Sequence, residues 1–143
     1  MARTDSLEVA VALHRAAIRL LRAVRVADAE TGVSASKLSA LSVLTFGGAM
    51  SLSALARAEQ VTPPTMSKLV ADLEAAGLVA KRADRDDKRG LRIEVTAKGR
   101  DLMEEGRRRR LALLQKRLAK LTRNDRALLD QAAEIMLKLS SAP

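Results

Sequence analysis

The chain has 143 residues, of which 26 are Lys or Arg and 17 are Asp or Glu, so its formal net charge is +9. This length suits one domain with helical extensions, and the excess of cations favours nucleic acid as a partner over an anionic membrane surface. The absence of cysteine excludes disulfides, thiol redox chemistry and thiolate zinc sites. No apolar run approaches the roughly 18 residues of a membrane span, so we expect a soluble, cytoplasmic protein without a membrane partner.

Aliphatic side chains must build the core, because 48% of the residues are apolar but Phe46 is the only aromatic. Such a composition suits packed helices. The spacing of apolar residues predicts a first helix over 5–30, with an apolar band wider than a surface helix needs. A second helix begins at Ser34 or Ser36 and ends at the glycine pair 47–48.

Two short helices joined by a tight turn are predicted in the middle of the chain. Ser51 is the N-cap of the first. The second has Thr62 as its N-cap, Pro63 at its first position and a left-handed Gly77 at its end. The predicted apolar stripe of this second helix consists of Leu69, Leu73 and Ala76. Small polar residues at its N-terminus form another face, so the pair is interpreted as a helix-turn-helix.

A charged hairpin follows these two helices. Leu91, Ile93 and Val95 alternate strictly with polar residues, which predicts a half-buried strand. The segment that begins at Leu78 is its partner strand, across a charged loop that ends at Gly90. An isolated hairpin is only marginally stable, so it must pack on the preceding helices. A helix-turn-helix followed by such a hairpin is a winged helix.

Two further helices complete the chain. Helical periodicity resumes from Ala97 to about Leu121, and Thr122 begins a last helix with Asp125 as its capping-box partner. These helices and the helix at 5–30 contain more leucine and other apolar residues than a small winged-helix core can cover. The surplus predicts a helical dimer interface.

Several motifs occur together in a specific order and spacing. They are SALA at 53–56, VTPPTMSKL at 61–69, LEAAGLV at 73–79, the residues Asp84, Asp87, Lys88 and Arg89, and VTAKG at 95–99. Over nearly its whole length the chain therefore resembles the multiple antibiotic resistance regulator (MarR) family. The resemblance implies a mostly α fold with a small β-hairpin wing. Dimerisation helices would lie at 1–34 and 99–143, and the DNA-binding lobe at 35–98, with its recognition helix at 62–77 and its wing at 78–96.

The resemblance also implies a function. Members of the family are commonly homodimeric repressors that bind a near-palindromic double-stranded DNA operator and release it when a small, often anionic aromatic effector binds. From the residues alone, a basic winged-helix module for non-specific nucleic-acid packaging or protein docking stays open as an alternative. No catalytic constellation is visible, so neither an enzyme, a cofactor nor a metal site is expected.

The predicted DNA contacts lie at the recognition helix and the wing. They are Thr62, Pro63, Pro64, Thr65, Ser67 and Lys68 in the helix, and Arg85, Lys88 and Arg89 in the wing. Asp84 and Asp87 are expected to orient Arg89 through a wing salt bridge. By family analogy, His14 is a candidate for an effector pocket. One or two arginines of the tract at 107–110, with Arg107 as the candidate, would reach that pocket or the DNA backbone. The alternatives are a partly buried, hydrogen-bonded histidine and a largely solvated arginine tract at 107–110.

Two residues depart from the family pattern. Asp86 stands where the wing usually carries an arginine, and Gln60 replaces the glycine that usually precedes the recognition helix. We therefore expect a rearranged salt bridge in the wing and an altered turn before the helix.

Overall fold

The computed structural model describes residues 5–86 and 90–141. Its elements are α1 (Ser6–Arg25), a 3-10 helix (Val26–Thr31), α2 (Ala35–Gly47), α3 (Leu52–Glu59), α4 (Pro63–Ala75), β1 (Val79–Ala83), β2 (Leu91–Val95), α5 (Ala97–Leu118) and α6 (Arg123–Ser140). The predicted fold class, mostly α with a small hairpin, is confirmed. None of the helices in the described ranges is long and apolar enough to cross a membrane.

Every α-helix of the described chain begins at a polar side chain that accepts a hydrogen bond from a backbone amide of the first turn. These N-caps are Asp5, Ser34, Ser51, Thr62, Thr96 and Thr122. Ser34 rather than Ser36 therefore begins α2. The sequence determines the start of each helix locally, because a short side-chain acceptor stands just before each apolar repeat.

The first helix is shorter than predicted. It ends at Arg25 instead of continuing to residue 30, and the chain tightens into the 3-10 helix. The hydroxyl of Thr31 donates to the carbonyl of Asp28 at 2.7 Å and accepts from the amide of Val33 at 3.2 Å. These bonds, followed by a left-handed Gly32 with φ 69°, tighten the last turn and redirect the chain into α2.

The core lies within the part of the chain that contains α2, α3, α4 and the hairpin. Its buried side chains are Ala40, Leu41, Leu44, Leu55, Ala56, Met66, Val70, Leu73, Leu78, Val79 and Ile93. They are all aliphatic or methionine, as the composition predicted, since the one aromatic side chain, Phe46, is 83% exposed. No described residue of α1 or α6 is buried in the single chain.

The hairpin packs on this core through Val79 of its first strand and Ile93 of its second. β1 and β2 are antiparallel, with Lys81 opposite Ile93. Ile93 is buried and also pairs with Met50 through two backbone hydrogen bonds of 2.8 and 3.1 Å, which fixes the hairpin to the segment between α2 and α3. The predicted half-burial of Leu91 is wrong: the side chain is 57% exposed, because this end of the strand extends beyond the core.

Candidate DNA-binding site

The turn between α3 and α4 forms without the glycine that the family pattern predicts. Gln60 adopts the left-handed conformation with φ 56°, and it is the only non-glycine residue of the described chain with positive φ. Its amide donates to Arg57 at 3.2 Å, and the amide of Val61 donates to Ala56 at 3.0 Å, which completes the helix end. The departure from the family pattern therefore changes which residue adopts the left-handed conformation, and the tight turn itself is retained.

The N-terminus of α4 is an exposed polar surface. Thr62 accepts from the amide of Thr65 at 3.4 Å, and the two hydroxyl oxygens are 2.9 Å apart. Every predicted contact residue of this helix is exposed: Thr62, Pro63, Pro64, Thr65, Ser67 and Lys68. Within the described residues, no carboxylate forms an ion pair with Lys68. Short hydroxyl groups at the positive end of the helix dipole, beside an ammonium that no described carboxylate pairs with, favour an anionic neighbour.

The opposite face of α4 fixes its orientation. Met66, Val70 and Leu73 are buried, and this stripe differs from the predicted one, because Leu69 is only half-buried and Ala76 is exposed. The stripe therefore begins closer to the N-terminus than expected. Gly77, at φ 74°, ends the helix as predicted.

Asp84 organises the described part of the wing. Its carboxylate lies 3.3 Å from Nε of Arg92 and accepts from the amide of Asp86 at 3.0 Å. Arg92 also donates to the carbonyl of Ala49 at 3.4 Å, so it connects the wing to the helical core. Sequence reasoning missed Arg92, which was not distinguished from the other wing cations. The predicted partners Asp87 and Arg89, and the predicted contact Lys88, lie outside the described residues.

Two wing arginines differ in their partners. Nε of Arg82 lies 2.9 Å from the carboxylate of Glu94. Arg85 is exposed, and within the described ranges no acidic side chain forms an ion pair with it. Of the two, Arg85 is the cation with its charge available to a ligand.

A second candidate site is an open cavity of about 640 Å³ between α1, the 3-10 helix, α2 and α5. Its walls are Leu21, Val24, Arg25, Asp28, Ala29, Val33, Ala35, Leu38, Ser39, Ser42, Val43, Met103 and Arg110. The guanidinium of Arg110 lies 2.6 Å from the carboxylate of Asp28. An apolar wall with two arginines and one acid suits a small amphipathic anion.

The predicted effector residues do not line this cavity. His14 is exposed, on the same side of α1 as Leu7, Val11, Ile18 and Leu21. Its expected partial burial is wrong for the single chain. Arg107 is exposed and pairs with Glu104 at 3.6 Å. The tract at 107–110 nevertheless supplies Arg110 to the cavity wall, whereas the sequence had singled out Arg107 as the candidate.

The tract is also more extensively paired than predicted. Arg109 lies within 3.4 Å of Glu30 and 3.3 Å of Glu105. Together with the pair between Arg110 and Asp28, this contact fastens the 3-10 helix to α5. Both arginines are only about one-third exposed, so half of the tract holds the fold together.

A capped helix with an exposed polar N-terminus, preceded by a short helix and a tight turn and followed by a cationic hairpin, defines the winged helix-turn-helix class of DNA-binding transcriptional regulators. Residues 31–90 match the MarR family model. The HTH-type transcriptional regulator Mb0904 of Mycobacterium bovis is 39% identical over 127 residues, which is 89% of either chain. The chain therefore belongs to the MarR family and is a DNA-binding transcriptional regulator.

Solved structures agree with this assignment. A transcriptional regulator protein from Pseudomonas aeruginosa is 26% identical, with a TM-score of 0.82 over 98% of this chain and 99% of its own. A MepR mutant from S. aureus, solved bound to an oligodeoxyribonucleotide, is 18% identical with a TM-score of 0.70, over 93% of this chain and 98% of its own. The second likeness shows the fold alone.

Proposed function

We propose that this regulator is a homodimeric repressor of a near-palindromic double-stranded DNA operator, released by a small anionic effector. The observation that carries the proposal is the exposed polar N-terminus of α4, supported from behind by Met66, Val70 and Leu73. A helix held this way can enter a major groove without losing its core contacts.

At the helix, Thr65 and Ser67 donate to base edges or phosphate oxygens, and Lys68 meets phosphate or guanine. Thr62 acts mainly as the cap, because its oxygen already accepts from the amide of Thr65. Pro63 and Pro64 offer apolar surface to a thymine methyl group. The oligodeoxyribonucleotide in the S. aureus MepR structure supports the use of this fold on DNA.

At the wing, Arg85 is the described cation that reaches the minor groove, where a narrow groove concentrates negative potential. Lys88 and Arg89 stay predictions as further contacts. Arg92 and Asp84 hold the base of the wing to Ala49 and are assigned a supporting role.

The dimer is assigned to the ends of the chain, 1–34 and 99–143. In α6 all residues are exposed except a half-buried Ala132. Its exposed large apolar side chains are Leu128, Leu129, Ile135, Met136, Leu137 and Leu139. Monomeric proteins rarely leave so large an apolar surface in water. Two copies joined through α1 and α6 would place their recognition helices about 34 Å apart, one turn of DNA.

The effector site is assigned to the cavity between α1, α2 and α5. An entering carboxylate would replace Asp28 as the partner of Arg110, while aliphatic walls hold the body of the ligand. The described lining contains no aromatic residue, so ring stacking contributes nothing to recognition.

The DNA-binding proposal is tested by selection from random duplexes with the purified protein, followed by titration of the selected and a scrambled duplex. A repressor should prefer the selected duplex by about 10³ or more. Equal affinity for both would favour non-specific packaging and end the proposal. A reporter gene behind the selected site should be transcribed less when the regulator is present, and more transcription would make it an activator.

The effector proposal is tested by adding a panel of aromatic and aliphatic carboxylates to the protein–DNA complex. Acids that release DNA from the wild type should fail to release it from Arg110→Met. The matched control is Arg107→Met, which removes the same charge one helical turn away, outside the cavity. Equal sensitivity of both variants would place the effector elsewhere.

A further inference from the structure

The end of the recognition helix is joined to the start of α5 by side chains that no DNA contact requires. The hydroxyl of Thr96 donates to the carbonyl of Gly77 at 2.6 Å and accepts from the amide of Gly99 at 3.1 Å. Its own amide donates to the carbonyl of Leu78 at 3.0 Å. One residue therefore serves as the N-cap of α5 and as a donor to the turn that ends α4.

Lys98 reinforces this junction from the first turn of α5. Its Nζ donates to the carbonyl of Ala76 at 2.9 Å, and its stem passes Gly77, where an added Cβ would lie 3.7 Å from Cδ. Within the described residues, Lys98 forms no ion pair with a carboxylate. The ammonium thus lies at the negative end of the α4 dipole, where a cation is favoured.

The start of α5 is also in close steric contact with the turn that ends α4 and with β2. A Cβ at Gly99 would lie 2.2 Å from the carbonyl oxygen of Leu78 and 2.6 Å from a methyl group of Val95. Hydrogen bonds and close packing together leave α4 little freedom to rotate relative to α5. Near its middle, α5 is fastened to the 3-10 helix by Arg109 and Arg110.

We infer that Thr96 and Lys98 are positioning residues for DNA recognition: they fix the angle of the recognition helix on α5, and thereby the separation of the two half-sites that the dimer reads. This inference rests on the proposed homodimer. The recognition helix reaches the dimerisation helices directly through α5, since α5 runs from this junction to the C-terminal part of the chain. Without the junction, each recognition helix should still bind its half-site, but the dimer should discriminate less between different half-site spacings.

The test uses the full-length protein and a duplex selected by the wild type, together with duplexes whose half-sites are one base pair closer or farther apart. The variants are Lys98→Met, which keeps an unbranched apolar stem without the ammonium, and Lys98→Arg, which retains a donor. Lys116→Met on the same helix is the control for the loss of one charge. Circular dichroism establishes that each variant is folded, and the salt dependence of affinity is measured for all.

For Lys98→Met we expect about a tenfold loss of affinity at the selected spacing, and a smaller loss at the altered spacings, as one charge-assisted hydrogen bond is removed. The salt slope should equal that of Lys116→Met, and Lys98→Arg should restore the spacing preference. Two results overturn the inference: an equal loss at all spacings, which leaves the spacing preference unchanged, or a salt slope lower by about 0.9, which marks a direct phosphate contact. A wild type that selects no duplex overturns the proposed function itself, and the inference with it.

Discussion

At the scale of single residues, Gln60 holds a backbone conformation that an L-residue adopts at a cost of about 1–2 kcal/mol. Replacing Gln60 with glycine relieves that strain, although glycine gains freedom in the unfolded chain. We expect Gln60→Gly to raise the free energy of unfolding by about 0.5–1 kcal/mol in urea denaturation. Gln60→Ala, which keeps the Cβ, is the control and should give no gain. A destabilised glycine variant would mean that the glutamine side chain itself stabilises the turn.

At Gly99 the addition of a Cβ atom should destabilise the fold, whereas at Gln60 the removal of the Cβ atom should stabilise it. An added methyl group would lie 2.2 Å from the backbone oxygen of Leu78, which cannot move without shifting the end of α4. Gly99→Ala should therefore lower the free energy of unfolding by at least about 2 kcal/mol. Gly47→Ala is the matched control, since its Cβ would meet only the flexible end of Met50 at 3.1 Å. Equal stability of the two variants would disprove the close packing at Gly99.

Local chemistry made some residues predictable and left others undetermined. Thr62, Pro63 and Gly77 were assigned correctly, because a cap and a left-handed terminator depend on neighbouring residues alone. Ala76 and Leu91 were assigned wrongly to the buried side. Periodicity gives the spacing of an apolar face, but where that face ends depends on which other element covers it.

At the scale of elements, the described part of the wing contains two arginines that differ in whether a carboxylate forms an ion pair with them. Arg85→Ala should weaken DNA binding and lower the slope of log affinity against log salt by roughly 0.9, the value for one phosphate contact. Arg82→Ala should change the slope less, because Glu94 already pairs with this guanidinium at 2.9 Å. Salt titrations of the two variants beside the wild type decide this. A larger effect from Arg82 would reverse the assignment.

The order of the elements was predictable, but their long-range contacts were not. Four of the six helix N-caps were anticipated as single residues or as a pair, since polar caps precede apolar repeats. The early end of α1 at Arg25 was missed, because the Thr31 hydroxyl bond that tightens the chain leaves no periodic signal. The cavity wall and the contacts of Lys98 and Arg110 join residues far apart in sequence, which one sequence without a fold cannot bring together.

At the scale of the whole molecule, substitutions on two opposite sides of α6 can be compared for their effect on the proposed dimer. At about 100° per residue, Leu128 and Ile135 share one side of the helix and Leu137 lies opposite Leu128. The double variant Leu128→Glu with Ile135→Glu should raise the Kd of the proposed dimer at least about 100-fold, because two buried aliphatic side chains per copy are lost. Leu137→Glu, measured in the same sedimentation equilibrium experiment, shows by comparison which side of α6 meets the partner. A dimer that survives the double variant would require another interface.

The surplus of apolar residues in the terminal helices was a whole-molecule property that composition indicated. A count of apolar residues predicted more hydrophobic surface than the core could cover, and α1 and α6 are the α-helices of the described chain without a buried residue. Which side of each helix meets a partner is a matter of geometry between copies, and neither composition nor periodicity contains it.

The solvent-exposed ring of Phe46 has a practical consequence. Because the chain has neither Trp nor Tyr, its intrinsic fluorescence and its absorbance at 280 nm are very weak. Phe46→Trp would introduce a single indole at a position where the ring is 83% exposed and the core is undisturbed. One emission signal, free of background from any other residue, could then report on the end of α2 while DNA or a ligand is added.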